Sequence, residues 1–163
     1  MSLEESLQEI PFIGMQSRET RVSGGTRLTF PALTRDKMLR LSTNYFDTFN
    51  LLYPFMDRQN FLSDTLTRVQ GEGFDGDKES VIALLVFALG EVAVEGTRGQ
   101  PIEQDKNGRL SGIRGGSVSK PPGLPLFNEA RKRIGFVLTG CDLETVQIYS
   151  LMACVDSVLL PIP

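Results

Sequence analysis

The apolar residues Met38, Leu41, Tyr45, Phe49 and Leu52 recur three or four positions apart, which puts them on one face of a helix. Thr34 stands where an N-cap is needed, and Asp36 places a negative charge in the first turn. Pro54 cannot continue such a helix, because it lacks an N–H and its ring clashes with the preceding turn, and it pushes Tyr53 toward extended geometry. The first helix is therefore expected to stop near Leu52. Asp57 then caps a second helix whose inward residues are Phe61, Leu62, Leu66 and Val69, ending at Gly71 and Gly73. The pattern predicts two helices joined by an apolar elbow.

Further along, residues 77–95 read as a central helix, since the apolar run at 81–89 leaves no polar face and an element of that kind is surrounded by others. A buried strand would show the same run; Ala83, Leu84, Leu85, Ala88 and Leu89 favour helix, and so does the length. Residues 96–123 change character to Gly, Pro, Ser, Lys and Arg, and are expected to form a long mobile surface loop, either disordered or regulatory. Pro125 suits the first turn of a helix with the core stripe Phe127, Ala130, Ile134, Val137 and Leu138, with Arg131, Lys132 and Arg133 outside, ending at Gly140. Asp142 caps a last helix carrying Val146, Tyr149, Met152, Ala153 and Val155 inward until Pro161. Residues 1–33 show little helical period and read as an extended arm, with a turn or hairpin around Gly24 and Gly25. The expected fold is all-α, an irregular bundle of about five helices over residues 34–163, with the arm in front and the loop within it. No internal repeat is visible, although paired helices leave a kinship with helical repeats open.

Composition narrows the function. A chain of 163 residues with 40% hydrophobic and 23% charged residues has ordinary globular composition and can build one real core. The run at 81–89 falls short of the ~20 residues that span a membrane, so no membrane partner is expected. Glu4, Glu5 and Glu9 precede any apolar stretch, which does not read as a secretory signal. Cys141 and Cys154 have no partner pattern and suit free thiols in a reducing compartment. A net charge of -3 argues against this chain being the part that grips nucleic acid. The count of His is 0, which removes the commonest general base and metal ligand.

Candidate chemistry is thin. Gly112, Gly115 and Gly116 with Arg114 and Lys120 suggest a phosphate cradle, but the full motif spacing and the preceding strand are missing, and a flexible basic linker explains them better. Ser117 and Ser119 beside those bases are candidate phosphate acceptors. Asp75, Gly76 and Asp77 lack the later positions of a calcium loop and read as a turn before a cap. Two cysteines without His cannot complete a zinc site, and a Ser-His-Asp device is excluded. Tyr45, Phe46, Phe49, Tyr53 and Phe55 could line a ligand pocket, but stripes of this kind mostly fill cores. Arg131, Lys132 and Arg133 read as a solvated face, with a nuclear-localisation or partner patch as the second reading. No catalytic, cofactor or metal residues are assigned, and a catalytic role is not expected.

Several of these pieces, in order, resemble the fungal-specific transcription factor domain, the middle regulatory region of binuclear zinc-cluster transcription factors. They are Tyr45-Phe46, Tyr53-Pro54-Phe55-Met56, Asp57 to Leu62, the apolar run at 81–89, Ala130-Arg131, and Leu143-Glu144-Thr145-Val146-Gln147. The resemblance covers residues 31–156. The family's six-cysteine cluster has no counterpart here, and its later helices are missing, so the chain resembles the front half of that region. The resemblance implies a nuclear regulator of RNA polymerase II transcription. Zinc and DNA contact would belong to a module outside this chain, and control would pass through conformation, a small-molecule effector, a protein partner or self-association. The apolar tail of the last helix, Val155, Val158, Leu159, Leu160 and Ile162, is the expected contact surface. A stand-alone helical interaction scaffold is the alternative, and a small-molecule sensor or enzyme a more distant one.

Overall fold

In the computed structural model, residues 32–99, 115–116, 121–137 and 139–159 are described; the arm and most of the loop lie outside them. Seven α segments follow one another: α1 (Arg35–Phe46), α2 (Phe49–Leu52), α3 (Arg58–Asn60), α4 (Leu66–Glu72), α5 (Lys78–Arg98), α6 (Leu124–Ile134) and α7 (Leu143–Leu159). A π-helical turn, Phe61–Thr65, joins α3 to α4 into one run, so the fold is five helices with the single turn of α2 between the first two. Among the described residues there is no strand, and the fold is all-α.

Helix α5 is the axis. Residues 80–90 are buried on every side, and α1, α6 and α7 each pack along it. That arrangement is what an apolar run with no polar face requires, and each fully buried Leu, Val or Phe in it contributes roughly 1.5–3 kcal/mol of transfer free energy. The helix extends three residues past the expected Glu95, to Arg98, and at 21 residues it is long and apolar enough, by length and composition, to cross a membrane. The shorter estimate from residues 81–89 alone is corrected accordingly. The loop begins correspondingly later, at Gly99, and its far end is packed: Pro121 and Gly123 are buried.

The expected caps act as such: Thr34 accepts from the Lys37 N–H at 3.2 Å and Asp57 from Asn60 at 2.7 Å. Asp77, read from the sequence as part of a turn before a cap, is itself the cap of α5 and accepts from the Ser80 N–H at 2.7 Å. Asp142 accepts from both the N–H and the hydroxyl of Thr145, at 3.0 and 2.8 Å. At Gly73 the run closes with φ of 84°, a conformation that costs glycine nothing.

Two further boundaries and the facing of one helix differ from the sequence reading, three differences in all. The first helix breaks after Phe46 instead of running to Leu52: the Thr48 hydroxyl donates to the Asn44 carbonyl at 2.5 Å, and the Thr48 N–H turns to Tyr45 O at 3.2 Å. This side chain competes with the helical ladder for the same carbonyls. Helix α6 ends at Ile134 instead of Gly140, because Phe136 and Val137 donate three residues back and tighten the chain into a turn. The third difference is rotational. Helix α7 buries Thr145, Ile148, Leu151, Val155 and Leu159, while the expected core residues Val146 and Tyr149 are 59% and 52% exposed. A helix that is apolar nearly all round does not say which stripe faces inward.

Candidate functional site

The elbow between α2 and α3 is built around Asn50. Its amide donates to the Met56 carbonyl at 3.1 Å, and its oxygen accepts the Met56 N–H at 3.3 Å, so one side chain satisfies both backbone groups of a residue that belongs to no helix. The same oxygen accepts from the Tyr45 hydroxyl at 3.4 Å. Tyr45 is fully buried, and its phenol is pushed far above the ordinary range by that burial and then by Cys154. Nothing in the sequence pattern marks Asn50, since a single polar residue in a short helix has no periodic signature.

From the other end of the chain, Gln147 on α7 donates to the Phe55 carbonyl at 3.1 Å. The elbow and α7 therefore meet, although ninety-two residues separate the two partners. Below this corner, Lys78 at the start of α5 pairs with Asp142 and, at 3.8 Å, with Glu144. The Lys78 ammonium, then the Thr145 N–H and hydroxyl, hold the Asp142 carboxyl at about 2, well below its ordinary value.

Apolar side chains are presented to solvent on both sides of the corner. Leu51, Leu52 and Tyr53 project from the elbow, Leu143, Val146 and Tyr149 from α7, and Phe136 from the turn after α6. The aromatic set divides: Tyr45 and Phe46 are core, Phe49 and Phe55 lean on it, and Tyr53 is exposed. These residues do not line the shallow depression of about 430 Å³ on the outer face of α1, which is bordered by Asp36, Leu39, Arg40, Thr43 and Asn44. Of the tail residues expected to be exposed, Val155 and Leu159 are buried and Val158 is half-buried, while Leu160 and Ile162 lie outside the described residues.

The remaining candidates resolve into local structure. Gly115 and Gly116 have φ of 71° and 72°, and Gly115 lies against the Glu95 side chain, where a carboxylate opposes a bound phosphate; Gly112, Arg114, Ser117, Ser119 and Lys120 lie outside the described residues. Asp77 is a helix cap paired with Arg68 at 3.2 Å, and Asp75 accepts from Gly76. Arg68 also pairs with Glu72 and Glu79, at 3.1 and 2.8 Å, which fastens the α3–α4 run to the start of α5. Of the basic trio, Lys132 and Arg133 pair with Glu129, and Arg131 sits 5.8 Å from the Phe127 ring centre. Cys141, exposed just before α7, and Cys154, half-buried within it, are free thiols, and burial pushes the Cys154 thiol up. Among the described residues, no group of three or more His, Cys, Asp or Glu is placed to hold a metal ion.

No protein-family model matches this chain, and neither a curated protein nor a solved structure does.

Proposed function

We propose that the chain is a helical regulatory segment of a fungal zinc-cluster transcription factor, controlling RNA polymerase II transcription in the nucleus. Regulation acts through conformation and through a partner or small-molecule effector at the elbow–α7 corner, while DNA is read by a zinc module elsewhere in the full protein. One observation supports this reading above the others. Two of the segments that carry the resemblance, the Tyr53-Pro54-Phe55-Met56 elbow and the Leu143-to-Gln147 helix start, are joined by the bond from Gln147 to Phe55. Residues shared with a family because of a common architecture are expected to touch in this way; residues alike by chance are not.

The test is the gene and its product. The reading expects a six-cysteine module encoded in the same gene, zinc-dependent sequence-specific binding by the whole product, and binding by the present chain no stronger than that of an acidic non-specific protein at moderate salt. Zinc-dependent binding by this chain alone, or a gene without the module, contradicts it. A stand-alone interaction scaffold is the second reading, favoured by the exposed apolar residues of α7, and the missing module would select it.

A further inference from the structure

The run from α3 to α4 buries Phe61, Leu66 and Val69. Phe61 and Leu66 stand five residues apart, and in a continuous α-helix that spacing would turn them roughly 140° away from each other. The π-turn Phe61–Thr65 removes the conflict. The Leu66 N–H donates to the Phe61 carbonyl, five residues back instead of four, and the widened turn returns both side chains to the core. The Thr67 hydroxyl donates to the Leu62 carbonyl at 3.2 Å, again across five residues, and supports the same spacing.

The sequence holds a second solution. Leu62, Leu66 and Val69 follow at intervals of four and three, the spacing of an ordinary helical stripe that needs no π-turn. Leu62 is half-buried and already packed against the core. Two registers therefore share Leu66 and Val69 and differ in which neighbour, Phe61 or Leu62, points fully inward. The first gains the Phe61 ring against Phe46, with ring centres 5.5 Å apart. The second gains an unbroken α ladder in place of a rare π-turn.

We propose that the π-turn is a two-register switch that governs the elbow. In the second register α3 turns by one residue, roughly 100°, so that Leu62 enters the core and Phe61 leaves it. The elbow is tied to the first register. Arg58, at the start of α3, pairs with Asp47 at 2.7 Å, while Asn50 holds Met56 and Gln147 holds Phe55. Turning α3 carries Arg58 off Asp47 and, through Asp57, pulls Phe55 and Met56 from their partners. The other end stays fixed, because Arg68 on α4 is pinned to Asp77 and Glu79 at 3.2 and 2.8 Å. The motion is thus confined to α3 and the elbow, and a molecule that binds the elbow in one register shifts the population toward it. The switch goes beyond the transcriptional reading and does not rest on it, since it is a property of the chain alone.

Nuclear magnetic resonance of the full chain tests it. In the wild type, the hydrogen-bond coupling of the Leu66 N–H should run to the Phe61 carbonyl, and relaxation dispersion should show exchange over residues 58–66 on the microsecond-to-millisecond scale of helix register shifts. Phe61→Ala is expected to move the equilibrium at least tenfold toward the second register. The Leu66 coupling then passes to the Leu62 carbonyl, and the Leu62 methyls contact the Phe46 ring. Leu62→Ser is expected to remove the exchange. Deletion of Asp64, which sets Phe61 and Leu66 four apart, should remove both the exchange and the π-turn while the Gln147 bond to Phe55 persists. A flat wild-type profile overturns the proposal, as does a coupling that stays on Phe61 in Phe61→Ala. An unfolded Phe61→Ala chain overturns it too, because Leu62 is then unable to take that place, and an unfolded deletion variant contradicts the register argument itself.

Discussion

Gly90 on α5 lies directly beneath the Leu41 carbonyl of α1, so close that a Cβ at Gly90 would run into that backbone. The contact explains how two helices with buried stripes approach on the same level, and why a glycine is placed in an otherwise apolar helix interior, where it costs about 1 kcal/mol relative to alanine. Gly90→Ala is expected to destabilise the fold by about 3 kcal/mol or more, because backbone must move to admit one methyl. Gly71→Ala, on a helical residue with open space around it, is expected to stabilise by about 0.5–1 kcal/mol. Denaturant unfolding of the two variants checks both signs.

The rotation of α7 gives a second contrast. Leu85→Asp places an unpaired charge on a side chain with no exposure and is expected to cost more than about 4 kcal/mol, a large fraction of the roughly 5–15 kcal/mol that holds an ordinary domain folded. Val146→Asp, at a position that sequence periodicity had assigned to the core, is expected to stay within about 0.5 kcal/mol in the monomer. Thermal melts at low concentration distinguish them, and similar losses for both would put Val146 back in the core.

The pairing at the start of α7 predicts a pH dependence. Asp142 titrates at about 2 in the folded chain against an ordinary 3.8, with the Lys78 bond as the main cause. Because the folded value lies below the unfolded one, ionised Asp142 stabilises the fold above about pH 4, and the contribution is lost as pH falls toward 2. Asp142→Asn should therefore melt below wild type at neutral pH, and the gap should narrow as pH falls from about 4 to 2. A gap that is constant across that window would show that the carboxylate charge has no part in holding α7.

What the sequence revealed was the part of the fold governed by neighbours along the chain. Thr34, Asp57 and Asp142 cap the helices they were expected to cap, because a cap is a bond between residues two or three apart. The burial of α5 was legible for a related reason: a helix with no polar face has one consistent environment. Features set by distant partners were not legible. The inward stripe of α7 depends on where α5 lies, Asn50 acts only once Tyr45 and Met56 are brought beside it, and Gln147 has meaning only next to Phe55. Thr48 was an intermediate case: its bond to Asn44 is local, but a threonine in a helical pattern signals a break only when its hydroxyl turns back onto the ladder.

The central claim, that this bundle is a regulatory segment whose folded surface controls transcription, is tested most directly by tethering. The chain is fused to a heterologous DNA-binding module in a fungal nucleus, and transcription of a reporter bearing that module's site is measured. The account predicts that the wild-type fusion changes reporter output several-fold relative to the module alone, and that Leu85→Asp, at equal protein level, abolishes the change. Reporter output equal for the module alone, the wild-type fusion and the Leu85→Asp fusion would contradict it.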